Sequence, residues 1–103
     1  MADHAEPAHQ IADVIEKARV GFVTFGCGAL DGAAELDLDR HDIIACIEGL
    51  TEADFYKSMD ADKPLWAGCR QDVYLPTVNG IQIYLKFQLW PHRRLHILSF
   101  KRK

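Results

Sequence analysis

The chain is poor in the features that usually announce a function, and each absence removes a class. It has only three cysteines, Cys27, Cys46 and Cys69, widely spaced and odd in number. That argues against a disulfide framework and offers no zinc-type spacing. No cysteine has an identifiable histidine partner for nucleophilic work. No stretch approaches the roughly 20 apolar residues that span a bilayer, so no membrane partner is expected. The opening residues, Met1-Ala-Asp-His-Ala-Glu-Pro-Ala8, lack the basic and apolar regions of a secretory leader, and a cytoplasmic protein is expected. There is no dinucleotide fingerprint and no glycine-rich phosphate loop. Asp60, Asp62 and Asp72 are few for two-metal hydrolysis, and no metal or other cofactor is expected.

What the chain does have is one domain's worth of ordinary globular composition. Its 103 residues are 49% hydrophobic and 26% charged, enough to bury about 60–70% of the unfolded surface without staples. The formal net charge of −3 conceals an asymmetry. Residues 1–56 hold three basic side chains against twelve carboxylates, a balance of −9, whereas residues 57–103 hold nine against three, a balance of +6. Eight of the ten aromatic residues lie from Phe55 onward. Cations interleaved with flat rings suit single-stranded nucleic acid, because phosphates attract charge and unstacked bases attract rings. The plain alternative is a solvated charged face over an aromatic core.

The pattern along the chain divides at about residue 50. Residues 1–8 read as a short flexible lead, and a single domain is expected over 9–103. Ile11, Val14, Ile15 and Ala18 follow helical spacing and predict a helix over 9–18. Residues 20–25 read as a short strand or extended linker, and 29–36 as a second helix. Asp39 is placed to cap a third helix over 41–48, with Gly49 to end it. Thr51-Glu-Ala-Asp54 resembles a capping-box turn. From 55 onward the pattern is β: a strand over 55–60, another over 71–78 with a bulge or edge at Pro76, and long strands over 81–90 and 95–101. Asn79-Gly80 is a hairpin signal that pairs Val78 with Ile81, Val73 with Lys86 and Gln71 with Gln88. The turn 91–94, closed symmetrically, pairs Trp90 with Leu95, Phe87 with Leu98, Lys86 with Ser99 and Tyr84 with Lys101. One face then carries Ile81, Ile83, Leu85, Phe87, Leu89, Leu98 and Phe100. The expected fold is α+β, with the N-terminal helices packed on one face of a C-terminal antiparallel sheet.

The opposite face gathers chemistry. Directly opposed residues have Cβ atoms about 4.5–5.5 Å apart, so Tyr84 and Lys101 bring a phenol and an ammonium together. An adjacent ammonium favours phenolate, and lysines stabilise charge on a phosphate in flight. Tyr84, Lys101 and Lys86, with Lys57 and Gln71, thus offer what RNA cleavage through its own 2′-hydroxyl requires. The alternative is a sheet tyrosine flanked by lysines that guard an edge. His92 and His96 lie near the basic turn, and His9 reads as a helix-start residue.

The run Gly49-Leu-Thr-Glu-Ala-Asp-Phe-Tyr-Lys-Ser-Met59, then Gln71-Asp-Val-Tyr74, Tyr84-Leu-Lys86 and Ser99-Phe-Lys101, resembles the MqsR family of motility quorum-sensing regulator toxins. The likeness is specific over 49–103 and looser but collinear over 9–48. It implies a RelE-like fold and a ribosome-independent, metal-free endoribonuclease cutting mRNA at short GC-containing sites such as GCU. It also implies a cognate MqsA-like antitoxin that neutralises it. Carried over by motif, the catalytic positions fall on Lys57, Gln71, Tyr84 and Lys101, with Tyr56, Met59, Lys86 and Arg70 expected beside the substrate. The loop over 60–70 is longer than the family pattern, in which Trp directly precedes Gln-Asp-Val-Tyr. A non-catalytic RNA- or protein-binding module on the same scaffold is the competing reading.

Overall fold

A computed structural model of the chain describes residues 3–60, 70–89 and 94–103. The long 60–70 loop with Trp66, and Trp90 and His92 of the second turn, fall wholly or mainly outside these residues. In chain order the elements are β1 (Asp3–His4), α1 (Ile11–Arg19), β2 (Val23–Phe25), α2 (Cys27–Glu35) and α3 (Arg40–Glu48). A 3-10 turn (Glu52–Asp54) follows, then β3 (Phe55–Asp60), β4 (Arg70–Tyr74), β5 (Thr77–Val78), β6 (Ile81–Leu89) and β7 (Leu95–Arg102). The main sheet runs β1-β3-β4-β6-β7-β2, with β5 paired to β6 off this path. The fold is α+β, as the sequence pattern implies. One pairing departs from it: β2 lies parallel to β7, with Thr24 beside His96. No helix among the described residues is long and apolar enough to cross a membrane.

The helices form for the reasons their spacing suggests. Val14 and Ala18 of α1, and Ile43 and Ile47 of α3, are the buried positions of amphipathic stripes. Asp39 caps α3: its Oδ1 accepts from the amides of Asp42 (3.1 Å) and His41 (2.9 Å), while the Asp42 carboxylate accepts from the Asp39 amide at 2.9 Å. The Asp42 amide bond is the main reason the Asp39 carboxyl titrates below its ordinary range. Gly49 ends α3 without adopting a left-handed conformation. The core these helices share with the sheet holds Ile83, Leu85, Phe87, Leu95, Ile97 and Phe100, all fully buried. Each such side chain contributes about 1.5–3 kcal/mol relative to exposure.

Both hairpins set the register of the site. Asn79 (φ 51) and Gly80 (φ 78) take the two left-handed conformations of a tight hairpin turn. Val78 pairs with Ile81, and the same register continues past Pro76 to Tyr74–Leu85, Val73–Lys86 and Asp72–Phe87. The second hairpin differs from expectation near its turn. Leu95 pairs with Leu89, not Trp90, and Phe87 pairs with Ile97, not Leu98. Leu98 is then an extra residue on β7, a bulge, after which Lys86–Ser99, Leu85–Phe100 and Tyr84–Lys101 pair as expected. The core face accordingly uses Leu95 and Ile97, and Leu98 is excluded from it.

The chain from Asp3 to Ala8 is not the loose lead expected for 1–8. Asp3 and His4 pair with Met59 and Ser58 as an edge strand. The amides of Ala8 and His9 donate to the two oxygens of the buried Asp72 carboxylate, at 2.9 and 3.0 Å. A buried carboxylate needs such donors, and they hold the segment entering α1 against β4.

Helix α2 approaches the β7 backbone closely through its small residues. A Cβ on Gly32 would stand 2.1 Å from the Phe100 carbonyl oxygen, while one on Gly28 would stand 3.5 Å from the Leu98 carbonyl. The first is impossible without backbone movement, and the second is ordinary contact. Gly32→Ala is therefore expected to cost about 1–3 kcal/mol, lowering the thermal midpoint by roughly 5–15 °C. Gly28→Ala should leave the midpoint at or above its starting value, since alanine favours the helix. Paired thermal melts of the two variants check this.

Candidate active site

The outer face of the sheet, away from the helices, collects one side chain from every second position of four strands. Lys57 and Met59 come from β3, opposite Val73 and Gln71 of β4. Tyr84, Lys86 and Gln88 come from β6, opposite Lys101, Ser99 and His96 of β7. Strand alternation puts these on one side. The pairing predicted for Tyr84 and Lys101 is present, and Lys101 Nζ lies 5.4 Å from the Tyr84 ring centroid. The Tyr84 hydroxyl points across β4 and reaches 4.0 Å from the Met59 sulfur. Met59 is two residues along β3 from Lys57. Lys57 Nζ sits 5.3 Å from the ring of Tyr56, which is 50% exposed at a bulge in β3. An exposed ion pair links Lys57 Nζ to Asp3 Oδ2 at 3.5 Å. Such pairs are weak, so the lysine is open to exchange one anion for another.

Gln71 is nearly buried, and its Nε2 donates to Gln88 Oε1 at 3.4 Å. The Gln88 amide nitrogen has no hydrogen-bond partner among the described residues. His96 Nδ1 shares a hydrogen bond of 2.8 Å with Thr24 Oγ1, and burial pushes its imidazole below the ordinary value and toward the neutral form. Two other groups are disqualified as neutral-pH bases or nucleophiles. Burial, aided by the Asp72, Glu52 and Asp54 carboxylates, pushes the Tyr74 phenol up to about 12, and burial with Asp54 pushes the Cys46 thiol up to about 11. Among the described residues no group of three His, Cys, Asp or Glu side chains is placed to hold a metal ion.

The structure thus brings together Lys57, Gln71, Tyr84 and Lys101, with Met59 and Lys86 among them and Tyr56 at the border. Arg70 does not join them. It shares the helix side of β4 with Asp72, and its guanidinium donates to Ser58 Oγ at 3.1 Å and to the Glu6 carbonyl at 2.6 Å. The reason is strand parity: Gln71 and Arg70 are adjacent, so they point to opposite faces. His9 also stays off the site. Its Nε2 lies between the Arg70 carbonyl (3.4 Å) and the Leu89 amide (3.3 Å), bridging the splayed end of β4 and β6. Sequence reasoning named Gln88 only as a strand partner, and His96 only as a residue near the basic turn that could aid proton transfer, not as a member of this face. Gln88 was legible as the hairpin partner of Gln71; His96 depended on the bulge, which no local signal marked.

Comparison with known proteins gives the chain a family. The chain is 39% identical over 99 residues to the mRNA interferase toxin MqsR of Escherichia coli (strain K12), covering 94% of this chain and 95% of the relative. The protein class is a small α+β toxin. More narrowly, the chain belongs to the MqsR toxin family: the family described as "Motility quorum-sensing regulator, toxin of MqsA" matches residues 6–102.

Because Arg70 ties the N-terminal segment and not the outer face, Arg70→Ala is expected to destabilise by about 1 kcal/mol through its lost hydrogen bonds. RNA-cleavage kcat/KM should stay within twofold of the unaltered chain. Denaturant unfolding together with cleavage kinetics measures both.

Proposed function

We propose that this chain is the toxin of a type II toxin–antitoxin pair that cleaves mRNA in the cytoplasm, independently of the ribosome and of metal ions. The observation that carries the reading is the convergence of Lys57, Gln71, Tyr84 and Lys101 on one face of the sheet in a chain of this family. In the proposed reaction Tyr84, reacting as the phenolate, takes the proton of a ribose 2′-hydroxyl and becomes the phenol, and that 2′-oxygen attacks the adjacent phosphorus. The bond to the 5′-oxygen breaks, leaving a 2′,3′-cyclic phosphate and a 5′-hydroxyl. Lys57, on the same face from β3, and Lys101, against the Tyr84 ring, supply positive charge to the non-bridging oxygens and a proton to the departing 5′-oxygen. Lys86 adds charge between them. Gln71, held by Gln88, presents an amide to the phosphate or the neighbouring base. Tyr56 and Met59 offer a ring and a soft apolar contact for bases on the β3 side.

The cut is proposed at short GC-containing sites of the GCU kind. A cognate antitoxin resembling MqsA is proposed to neutralise the toxin, in keeping with the family's description as a toxin of MqsA.

Lys57→Ala and Tyr84→Phe are expected to lower RNA cleavage at least about 100-fold in EDTA-containing buffer, with far-UV circular dichroism and melting midpoint little changed. Cleavage kinetics on a long RNA decide it. Full activity in both variants would remove the assignment, as would complete loss of the unaltered protein's activity in EDTA.

A further inference from the structure

The cleavage site occupies one end of the outer face, and the other end carries a cluster that the chemistry does not use. Phe22 is 36% exposed, and its ring has two cations against it: Lys17 Nζ at 4.7 Å and the Arg94 guanidinium carbon at 5.3 Å from the centroid. The placement is built by the backbone. Gly21, at φ 75, turns the chain out of α1, and the Phe22 amide donates to the Lys17 carbonyl at 2.9 Å. The Phe22 carbonyl then accepts from the Leu95 amide at 3.0 Å, extending the parallel β2–β7 ladder backward by one step. Phe22 and Arg94 are thus neighbours, each two residues before the paired Thr24 and His96. The two-residue period of strands puts them on the same face as that pair, and so on the face of Gln88, Lys86 and Lys101.

Electrostatics and shape agree on the kind of ligand. Among the described residues neither Lys17 nor Arg94 is in an ion pair, whereas the adjacent Arg19 is paired with Glu16 at 3.1 Å. An exposed ring flanked by two uncommitted cations matches a nucleotide, whose base stacks and whose phosphates are anionic. A self-contained cation–π cap on the sheet edge would account for the ring contacts. It leaves both cations without an ion-pair partner among the described residues.

We infer that Phe22, Lys17 and Arg94 form a second RNA subsite, which binds a nucleotide flanking the cut. Phe22 stacks its base, and Lys17 and Arg94 hold its phosphates. The inference rests on the mRNA-cleavage reading for its biological meaning, though not for its binding test. From Arg94 to Ser99, which is level with Lys86, is five strand residues, about 17 Å. The flanking nucleotide is therefore more than one step from the scissile phosphate, and only a substrate extended on one side can reach it.

The test uses the whole chain and two single-stranded RNAs that share one cleavage sequence, a short one and one extended by several nucleotides on both sides. Each is made in a cuttable form and in a form with a 2′-deoxy nucleotide at the cut, for fluorescence-anisotropy binding. Phe22→Ala is expected to weaken binding of the long RNA about 10-fold and to erase most of its advantage over the short one, appearing in KM and not kcat. Phe22→Trp should restore the advantage. Lys17→Ala and Arg94→Ala should each reduce the slope of log affinity against log salt by about one. A Phe22→Ala protein that melts normally and keeps the full long-over-short advantage overturns the inference. So does a loss confined to binding of the antitoxin, which would make the patch a protein contact. If the unaltered chain binds RNA but does not cut it, the cleavage reading fails, while the anisotropy comparison still decides the subsite.

Discussion

The pairing of β6 with β7, with its single extra residue at Leu98, is the constraint on which the rest of the molecule depends. On the turn side of the bulge, Leu89–Leu95 and Phe87–Ile97 face the helices. On the other side, Leu85–Phe100 continues the core while Tyr84–Lys101 and Lys86–Ser99 face outward. A slip of one residue on either side would send apolar side chains to water and lysines to the core. Burial of Phe87, Ile97 and Phe100 therefore fixes the position of the phenol and ammonium on the far side. The same strand is held by α2, where only glycine at position 32 admits the Phe100 carbonyl. The core thereby places the proposed reactive face without contributing an atom to it.

Strand β4 shows how sharply the two faces divide the labour. Asp72 and Arg70 point inward and bind the N-terminal segment, through the Ala8 and His9 amides and the Glu6 carbonyl. Gln71, between them in sequence, points outward to Gln88. A dipeptide such as Gln71-Asp72 thus carries a residue of the proposed site and a structural anchor side by side. The charge asymmetry along the chain has a parallel in space. The acidic N-terminal half builds the helices on one side, and the basic C-terminal half builds most of the face opposite. The exceptions sharpen this: Lys17, from the acidic half, reaches round to Phe22, and Asp3 meets Lys57.

Much of this was legible in the sequence because it rests on local signals. Apolar periodicity located α1 and α3, the Asp39 cap placed the start of α3, and Asn79-Gly80 set a register that carried through Pro76 to Val73. The Tyr84–Lys101 pair was also read correctly, but through two departures that cancel. The turn closes one residue earlier than assumed, at Leu89–Leu95, and the bulge at Leu98 restores the register. Neither departure has a local marker, since a bulge forms where packing on both sides of it demands the change. Non-local partners were likewise hidden. The parallel pairing of β2 with β7, the edge strand at Asp3 and the inward turn of Arg70 all depend on what another segment offers. Composition reads residues 1–8 as loose, and it is the Asp72 carboxylate, more than sixty positions away, that orders Ala8 and His9.

The central claim is that this sheet face cleaves RNA by turning the substrate's own 2′-oxygen on the adjacent phosphorus. The most direct measurement is to offer the intact protein, in EDTA, an RNA with a single 2′-deoxy nucleotide immediately 5′ to one mapped cleavage site, and to analyse every product end. The account predicts that this one bond survives while the other sites are cut to 2′,3′-cyclic phosphate and 5′-hydroxyl ends. Cleavage at the deoxy position, or 5′-phosphate ends at any site, would contradict it.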